Sequence, residues 1–142
     1  MDNKILGLDL GEKRIGVALA LMPEYLAVPL TVIPFTTETA LAAEIQTLMH
    51  RHCAETIVVG LPVDLNDKQG IAAQKVRERA ARLRETAGGN WIFWDESFTT
   101  REAQDFLIQS KVSRKRRKEV IDKLAAQNIL QSYLDAERRK NK

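Results

Sequence analysis

Lys4-Ile5-Leu6-Gly7-Leu8-Asp9-Leu10, then Gly11-Glu12-Lys13, then Arg14-Ile15-Gly16-Val17-Ala18-Leu19-Ala20 open the chain as strand, tight turn, strand. Both runs are apolar and rich in residues that suit a pleated surface, and a glycine with two charged residues between them marks a reversal. Leu26 to Ile33 (LAVPLTVI) reads as a third strand. Its Pro29 marks an edge position or a bulge, because proline donates nothing to a ladder. The connections are short, so these three strands form an antiparallel meander.

Beyond the meander the periodicity changes. Thr37 to His52 reads as a helix, with Leu41, Ile45, Leu48 and Met49 on one face. Thr56 to Leu61 (TIVVGL) is a short, almost wholly apolar strand of the kind buried on both faces at the centre of a sheet. A polar loop, Pro62 to Gln69, leads to a second helix, Gly70 to Thr86, with Ile71, Val76, Ala80 and Leu83 inward and Arg77, Arg79, Arg82 and Arg84 mostly outward. Gly88-Gly89-Asn90 stops it, and Trp91 to Asp95 is a fifth strand. Thr99-Thr100-Arg101-Glu102 is a capping box opening a third helix, with Ala103, Phe106 and Leu107 inward. After a basic run, a long helix extends from about Lys118 to Arg138, its stripe being Ile121, Leu124, Ala125, Asn128 and Tyr133, widened by Leu130 and Leu134. The order β-β-β-α-β-α-β-α-α predicts an α/β protein: a mixed five-stranded sheet with helices on both faces, the order of the ribonuclease H-like fold.

With 142 residues, 44% of them hydrophobic and 29% charged, the chain is expected to form one domain, residues 1–142. Aromatics at 6% argue against a base-stacking sheet. The lone Cys53 excludes a disulfide framework and a cysteine zinc site, and is read as a small buried hydrophobe. His50 and His52, near a helix end, are read as dipole partners rather than ligands. No apolar run approaches the roughly 18 residues that cross a bilayer, and the N-terminus lacks a signal pattern, so the expected address is the cytosol, with no membrane contact.

Charge is unevenly placed. Residues 1–110 carry 11 Lys and Arg against 15 Asp and Glu, a net of −4; residues 111–142 carry 11 against 4, a net of +7. The densest stretch is Arg114-Lys115-Arg116-Arg117-Lys118. Such a cluster attracts polyanions and neutralises phosphates, or else is a solvated helix end.

Three acids sit where solubility does not require them. Asp9 lies between Leu8 and Leu10 in an apolar strand, Glu96 follows Asp95 at the end of another, and Asp122 adjoins Ile121 on the last helix. A carboxylate near a core is costly unless it is paired or bound to metal. If the strand ends are neighbours and the last helix crosses that edge, the three converge, and oxygen ligands select a hard cation: Mg²⁺, or Mn²⁺ in its place. Two such ions support phosphodiester hydrolysis. Each acid has a plainer reading: a turn residue ahead of Gly11 for Asp9, a helix-dipole partner for Glu96 with Asp95 competing for its role, a surface pair with Lys118 or Lys123 for Asp122. Lys13, Arg14 and Arg101 are candidate phosphate ligands, and Gly60-Leu61-Pro62 ends the central strand at its carboxyl edge, where open α/β sheets place their sites.

Gly7-Leu8-Asp9-Leu10-Gly11-Glu12-Lys13-Arg14-Ile15-Gly16-Val17-Ala18 resembles the opening motif of the YqgF family, also called RuvX, relatives of the RuvC Holliday-junction resolvases. Ala27-Val28-Pro29-Leu30, Val58-Val59-Gly60-Leu61-Pro62, Trp94-Asp95-Glu96-Ser97-Phe98-Thr99-Thr100 and Ile121-Asp122-Lys123-Leu124-Ala125-Ala126-Gln127-Asn128-Ile129-Leu130 are similar to its later blocks, in order. The resemblance implies a ribonuclease H-like fold, catalytic and metal-holding acids at Asp9, Glu96 and Asp122, and a nuclease maturing the 5′ end of pre-16S ribosomal RNA. An older reading of the family is Holliday-junction resolution. Two positions depart: a Ser-Asp pair after the second strand is Ala20-Leu21 here, and an Arg after the Asp-Glu pair is Ser97. Both are expected near the substrate path.

The reading is therefore a metal-dependent nuclease acting on pre-rRNA or branched DNA, with Lys13, Arg14, Arg101, Arg114, Lys115, Arg116 and Arg117 holding substrate. It is expected to be a monomer or weak homodimer; a resolvase would need a two-fold dimer to cut symmetrically. A non-catalytic RNA-binding assembly factor on the same scaffold is the alternative outside enzymes. A nucleotide-binding fold of the Hsp70 and sugar-kinase type needs a second lobe and phosphate loop that 142 residues do not provide.

Overall fold

The structure, a computed structural model, describes residues 4–62, 70–95 and 114–140, with only the backbone described over 114–123. Five strands, β1 (Lys4–Leu10), β2 (Arg14–Leu21), β3 (Leu26–Pro34), β4 (Ala54–Leu61) and β5 (Asn90–Asp95), form one sheet in the order β3-β2-β1-β4-β5. The first three are the antiparallel meander, and β4 and β5 add in parallel. Helices α1 (Glu38–Arg51) and α2 (Ile71–Ala87) cover one face and α3 (Arg114–Lys140) the other. The predicted helix opening at Thr99 lies outside the described residues.

Local chemistry explains the boundaries. Thr37 is extended and accepts a hydrogen bond from the Ala40 amide at 3.1 Å, capping α1, whose first turn carries Glu38. α1 ends through Cys53, which takes a left-handed φ of 54° and donates its amide to the His50 carbonyl. Cys53 is consequently exposed in the turn and not the buried hydrophobe expected. Pro29 meets both expectations: β3 is the sheet edge, and the register passes from Val17↔Thr31 to Ala18↔Pro29, bulging Leu30.

Alternation along the strands separates two cores. Leu6, Leu8 and Leu10 pack with Leu41, Ile45 and Leu83 under α1 and α2. Ala18, Ala20, Ala27 and Val58 pack with Ala126, Ile129, Leu130 and Leu134 of α3. The second face is built from small residues, so α3 lies close. A Cβ on Gly7 would stand 2.7 Å from Leu130 Cβ and 3.2 Å from the Ala126 carbonyl oxygen.

α3 also seals the sheet edge. Gln131 accepts the Ala27 amide at 2.8 Å and donates to the Tyr25 carbonyl, while Gln127 donates to the Ala27 carbonyl. At the other side, Trp94 donates to Ser132 Oγ at 3.0 Å and stacks edge-to-face on Tyr133, centroids 5.4 Å apart. Turning Gln127 and Gln131 toward β3 rotates the buried stripe to Ala126, Ile129, Leu130, Tyr133 and Leu134, leaving Ala125 and Asn128 only half-buried. The helix also begins at Arg114 rather than Lys118, so the basic run lies within it.

Gly7→Ala should destabilise the protein by about 1–3 kcal/mol, since the atoms in the way belong to the helix stem and backbone and α3 must shift; urea unfolding checks this. Burial raises the Tyr133 phenol above its usual value, and the Glu137 carboxylate adds to the shift. A folded-state pKa above the unfolded one gives stability present below about pH 10 and lost as pH rises through the folded value. The unfolding free energy of wild type relative to Tyr133→Phe should therefore stay level up to about pH 10 and fall above it.

Candidate active site

β1 and β4 part company near their carboxyl ends. Their parallel register runs from Lys4↔Ala54 to Leu8↔Val59, while β4 continues beside β5 to Leu61↔Asp95. Asp9 is the first residue past that last β1–β4 pair, half-buried, and paired on its other side with Gly16 of β2. The opening between strands at their carboxyl ends is where open α/β sheets admit ligands.

Side-chain alternation fixes which acids share a face. Ile5 and Gly7 of β1 lie toward α3, so Asp9, two residues on, does too. On β5, Ile92 and Trp94 lie toward α3, which assigns Asp95 to the opposite face. Asp95 therefore does not share the Asp9 face, an alternative that the sequence left open. Asp122 is on α3, one turn before Ala126, whose carbonyl lies over Gly7. Glu96 and Arg101 lie outside the described residues.

Lys13 is exposed and Arg14 half-buried in the turn that leaves β1. Arg114, Lys115, Arg116 and Arg117 occupy the first turn of α3, where no acid offsets them. The dipole of a helix N-terminus is positive, so run and dipole add to one positive potential. Imidazoles and thiol lie elsewhere: His50, His52 and Cys53 immediately precede β4, at the amino edge of the sheet. Among the described residues no helix is long and apolar enough to cross a membrane.

A family model described as "RuvX: Holliday junction resolvase" matches residues 3–136. The chain belongs to the RuvX family. A relative from Caldanaerobacter subterraneus, named "Putative pre-16S rRNA nuclease", is 40% identical over 95% of this chain and 98% of its own. One of the same name from Syntrophus aciditrophicus is 44% identical over 94% of this chain and 89% of its own. In fold, RuvC of Thermus thermophilus bound to a Holliday junction superposes with a TM-score of 0.59 at 16% identity, covering 96% of each chain. Fowlpox virus resolvase with its junction DNA gives 0.56 at 11% identity, covering 94% of this chain and 97% of that one. The ribonuclease H-like architecture read from the element order is thus the fold of this RuvX protein.

β2 runs antiparallel to β1, so Ala20-Leu21 lies at the amino edge of the sheet, the end opposite Asp9. Ser97 lies outside the described residues.

Arg79 is the residue that the helical pattern misplaced. It was expected mostly outward, yet its side chain is only 16% exposed. Its Nη1 donates to the Gly11 carbonyl at 2.8 Å and the Leu10 carbonyl at 3.3 Å. Its Nε pairs with Glu38 at 3.4 Å, and the guanidinium lies 5.2 Å from the centroid of the Phe35 ring. A cleft of about 720 Å³ opens beside it, reaching Lys75, Arg82, Pro62 and Ile71. Ile71, expected inward, is 53% exposed because it begins α2 beyond the end of β4. No helical periodicity could have found Arg79, since its partners are backbone carbonyls of a turn; the glycine in that turn was the available hint.

The turn itself is tight. The Gly11 amide donates to the Asp9 carbonyl at 3.1 Å, and a Cβ on Gly11 would fall 2.4 Å from the Arg14 carbonyl oxygen. Gly11→Ala should cost at least about 1 kcal/mol, because two backbone segments must separate. A denaturation midpoint equal to that of wild type would contradict this close approach.

Proposed function

We propose that this RuvX protein is a divalent-metal-dependent nuclease that hydrolyses phosphodiester bonds in 5′-end processing of pre-16S ribosomal RNA. The observation that carries the reading is Asp9, a half-buried carboxylate at the parting of β1 and β4, on the face that α3 covers. Asp9, Glu96 and Asp122 are the proposed catalytic and metal-holding acids. Asp95 yields to Glu96 because it belongs to the other face of the sheet. The name shared by relatives at about 40% identity supports the ribosomal substrate and, with it, a cytosolic location.

The donor chemistry fits a hard cation. Asp9 offers oxygen, and the imidazole and thiol groups that would attract softer metals lie at the opposite edge. Mg²⁺, with Mn²⁺ as substitute, would be held by Asp9, Glu96 and Asp122. The bound cation would supply Lewis-acid chemistry, lowering the pKa of an attacking water and neutralising charge on the leaving oxygen. The protein's own part is placement. Asp9 sits on a strand hydrogen-bonded into the sheet through β2, so its backbone is fixed before substrate arrives. Lys13, Arg14 and Arg101 would hold phosphates flanking the scissile bond, and Arg114, Lys115, Arg116 and Arg117 would draw in the polyanion over a longer range.

The family model's description favours a second reading, resolution of four-way DNA junctions, which requires a two-fold dimer rather than a monomer or weak homodimer. Wild type and Asp9→Asn, each with Mg²⁺, Mn²⁺ or EDTA, should be tested on a pre-16S 5′-leader RNA and on a four-way junction. The expected result is RNA cleavage that needs metal and is abolished in Asp9→Asn. Symmetric cutting of the junction alone, by a dimer, would establish the resolvase. Binding of either substrate without cutting, unchanged in Asp9→Asn, would overturn the catalytic assignment and leave an RNA-binding factor.

A further inference from the structure

We propose that Arg79 is a positioning residue for the Asp9 carboxylate, acting through the backbone of the turn that follows it. The inference rests on the reading of Asp9 as a metal-holding acid. Leu10 and Gly11 lie past the last β1–β4 pair, so β4 does not fix this end of β1. Arg79 reaches it from α2: one guanidinium nitrogen holds both the Leu10 and the Gly11 carbonyls. The guanidinium is itself fixed twice, by Glu38 at the start of α1 and by the Phe35 ring. Phe35 is tied to the same turn, its amide donating to the Lys13 carbonyl at 2.9 Å. Glu38 is held in turn by Arg82, 3.8 Å away. The end of β1, the turn, and the starts of α1 and α2's inner face thus converge on one side chain.

The chemistry demands arginine. Three acceptors on two elements are met by a planar fork whose nitrogens point in fixed directions. A lysine ammonium in the same place can reach the carbonyls or Glu38, and lacks the plane that stacks on Phe35. α2 lies on the face of the sheet opposite α3, so Arg79 braces the two carbonyls that follow Asp9, those of Leu10 and Gly11, from the side away from α3. Partners one step removed from a metal ligand typically change metal affinity or activity by about 10–100-fold when lost.

The test compares wild type, Asp9→Asn, Arg79→Lys, Arg79→Met and Glu38→Gln. For each, Mn²⁺ binding is measured by calorimetry, and kcat, KM and the Mg²⁺ midpoint by cleavage of the leader RNA, below the melting temperature of the least stable variant. Asp9→Asn isolates the underlying reading: if it binds Mn²⁺ and cuts like wild type, that reading falls and the inference with it. Where Asp9→Asn is inactive, Arg79→Lys should stay folded, keep KM within about twofold, and lose about 10-fold in both kcat and Mn²⁺ affinity. Glu38→Gln should show the same pattern more weakly, and serves if Arg79→Met does not fold. Variants with lowered melting temperature but wild-type kcat, Mn²⁺ affinity and Mg²⁺ midpoint would overturn the inference and reduce Arg79 to a helix clamp.

Discussion

The missing side chain at Gly7 sets the separation between α3 and the sheet. With Cβ room of only 2.7 Å to Leu130, no other residue at that point lets the helix lie where it does. The alanines at 18, 20 and 27 continue the same shallow surface, and Gln127 and Gln131 then reach the backbone of the edge strand. Close approach fixes a register between helix and strand as well as a distance. Asp9 is two residues from Gly7 along β1, and Asp122 one turn from Ala126 along α3, so the contact at Gly7 governs how the two acids are placed relative to each other.

The opposite face solves a different problem. A strand that leaves its neighbour has free carbonyls and a tendency to fray, yet an acid held there is useful only if it stays still. The sheet holds Asp9 on one side through Gly16, and the tight Gly11 turn limits its other side. What would remain loose, the peptide groups of Leu10 and Gly11, is taken up by a guanidinium with its own ion pair and ring. The Arg79 side chain is only 16% exposed, so its hydrogen bonds stabilise this corner as well as fixing its geometry. For the proposed role of Asp9 the geometry is the greater matter, because a displacement of about 1 Å at a reacting group can cost 100-fold in rate.

Much of this was legible from the chain alone, and the reasons differ by residue. The meander, the bulge at Pro29 and the central apolar strand follow from local chemistry: alternation, proline's missing donor, burial on both faces. Thr37, read as the first residue of the helix, instead caps it from just outside. The misread positions depend on neighbours distant in sequence. Arg79 looks like a solvated helix residue until β1's carbonyls are placed beside it; Ile71 looks like core until α2 is seen to start beyond β4. Cys53 looks like a small hydrophobe until the left-handed turn after α1 puts it outside. Asp95 could be assigned to the face away from Asp9 only when the partners of Trp94 showed which face each residue of β5 takes.

The start of α3 shows how one helix can serve two ends. Cations in a first turn oppose the helix dipole by about 0.3–1 kcal/mol each, and Arg114 to Arg117 supply four. Stability alone would not place them there. Farther along, Leu130 and Leu134 are fully buried and Ile129 nearly so, each contributing about 1.5–3 kcal/mol. The gain at the docked end outweighs the loss at the charged one, and rigid helical geometry carries the surplus forward. A charged segment that could not fold as a helix by itself is thereby held as one. The run begins about 12 Å along the helix axis from position 122, farther than the screening length of about 8 Å in physiological salt. Its field therefore acts chiefly on phosphates near the start of α3 itself, ahead of the sheet edge where Asp9 lies.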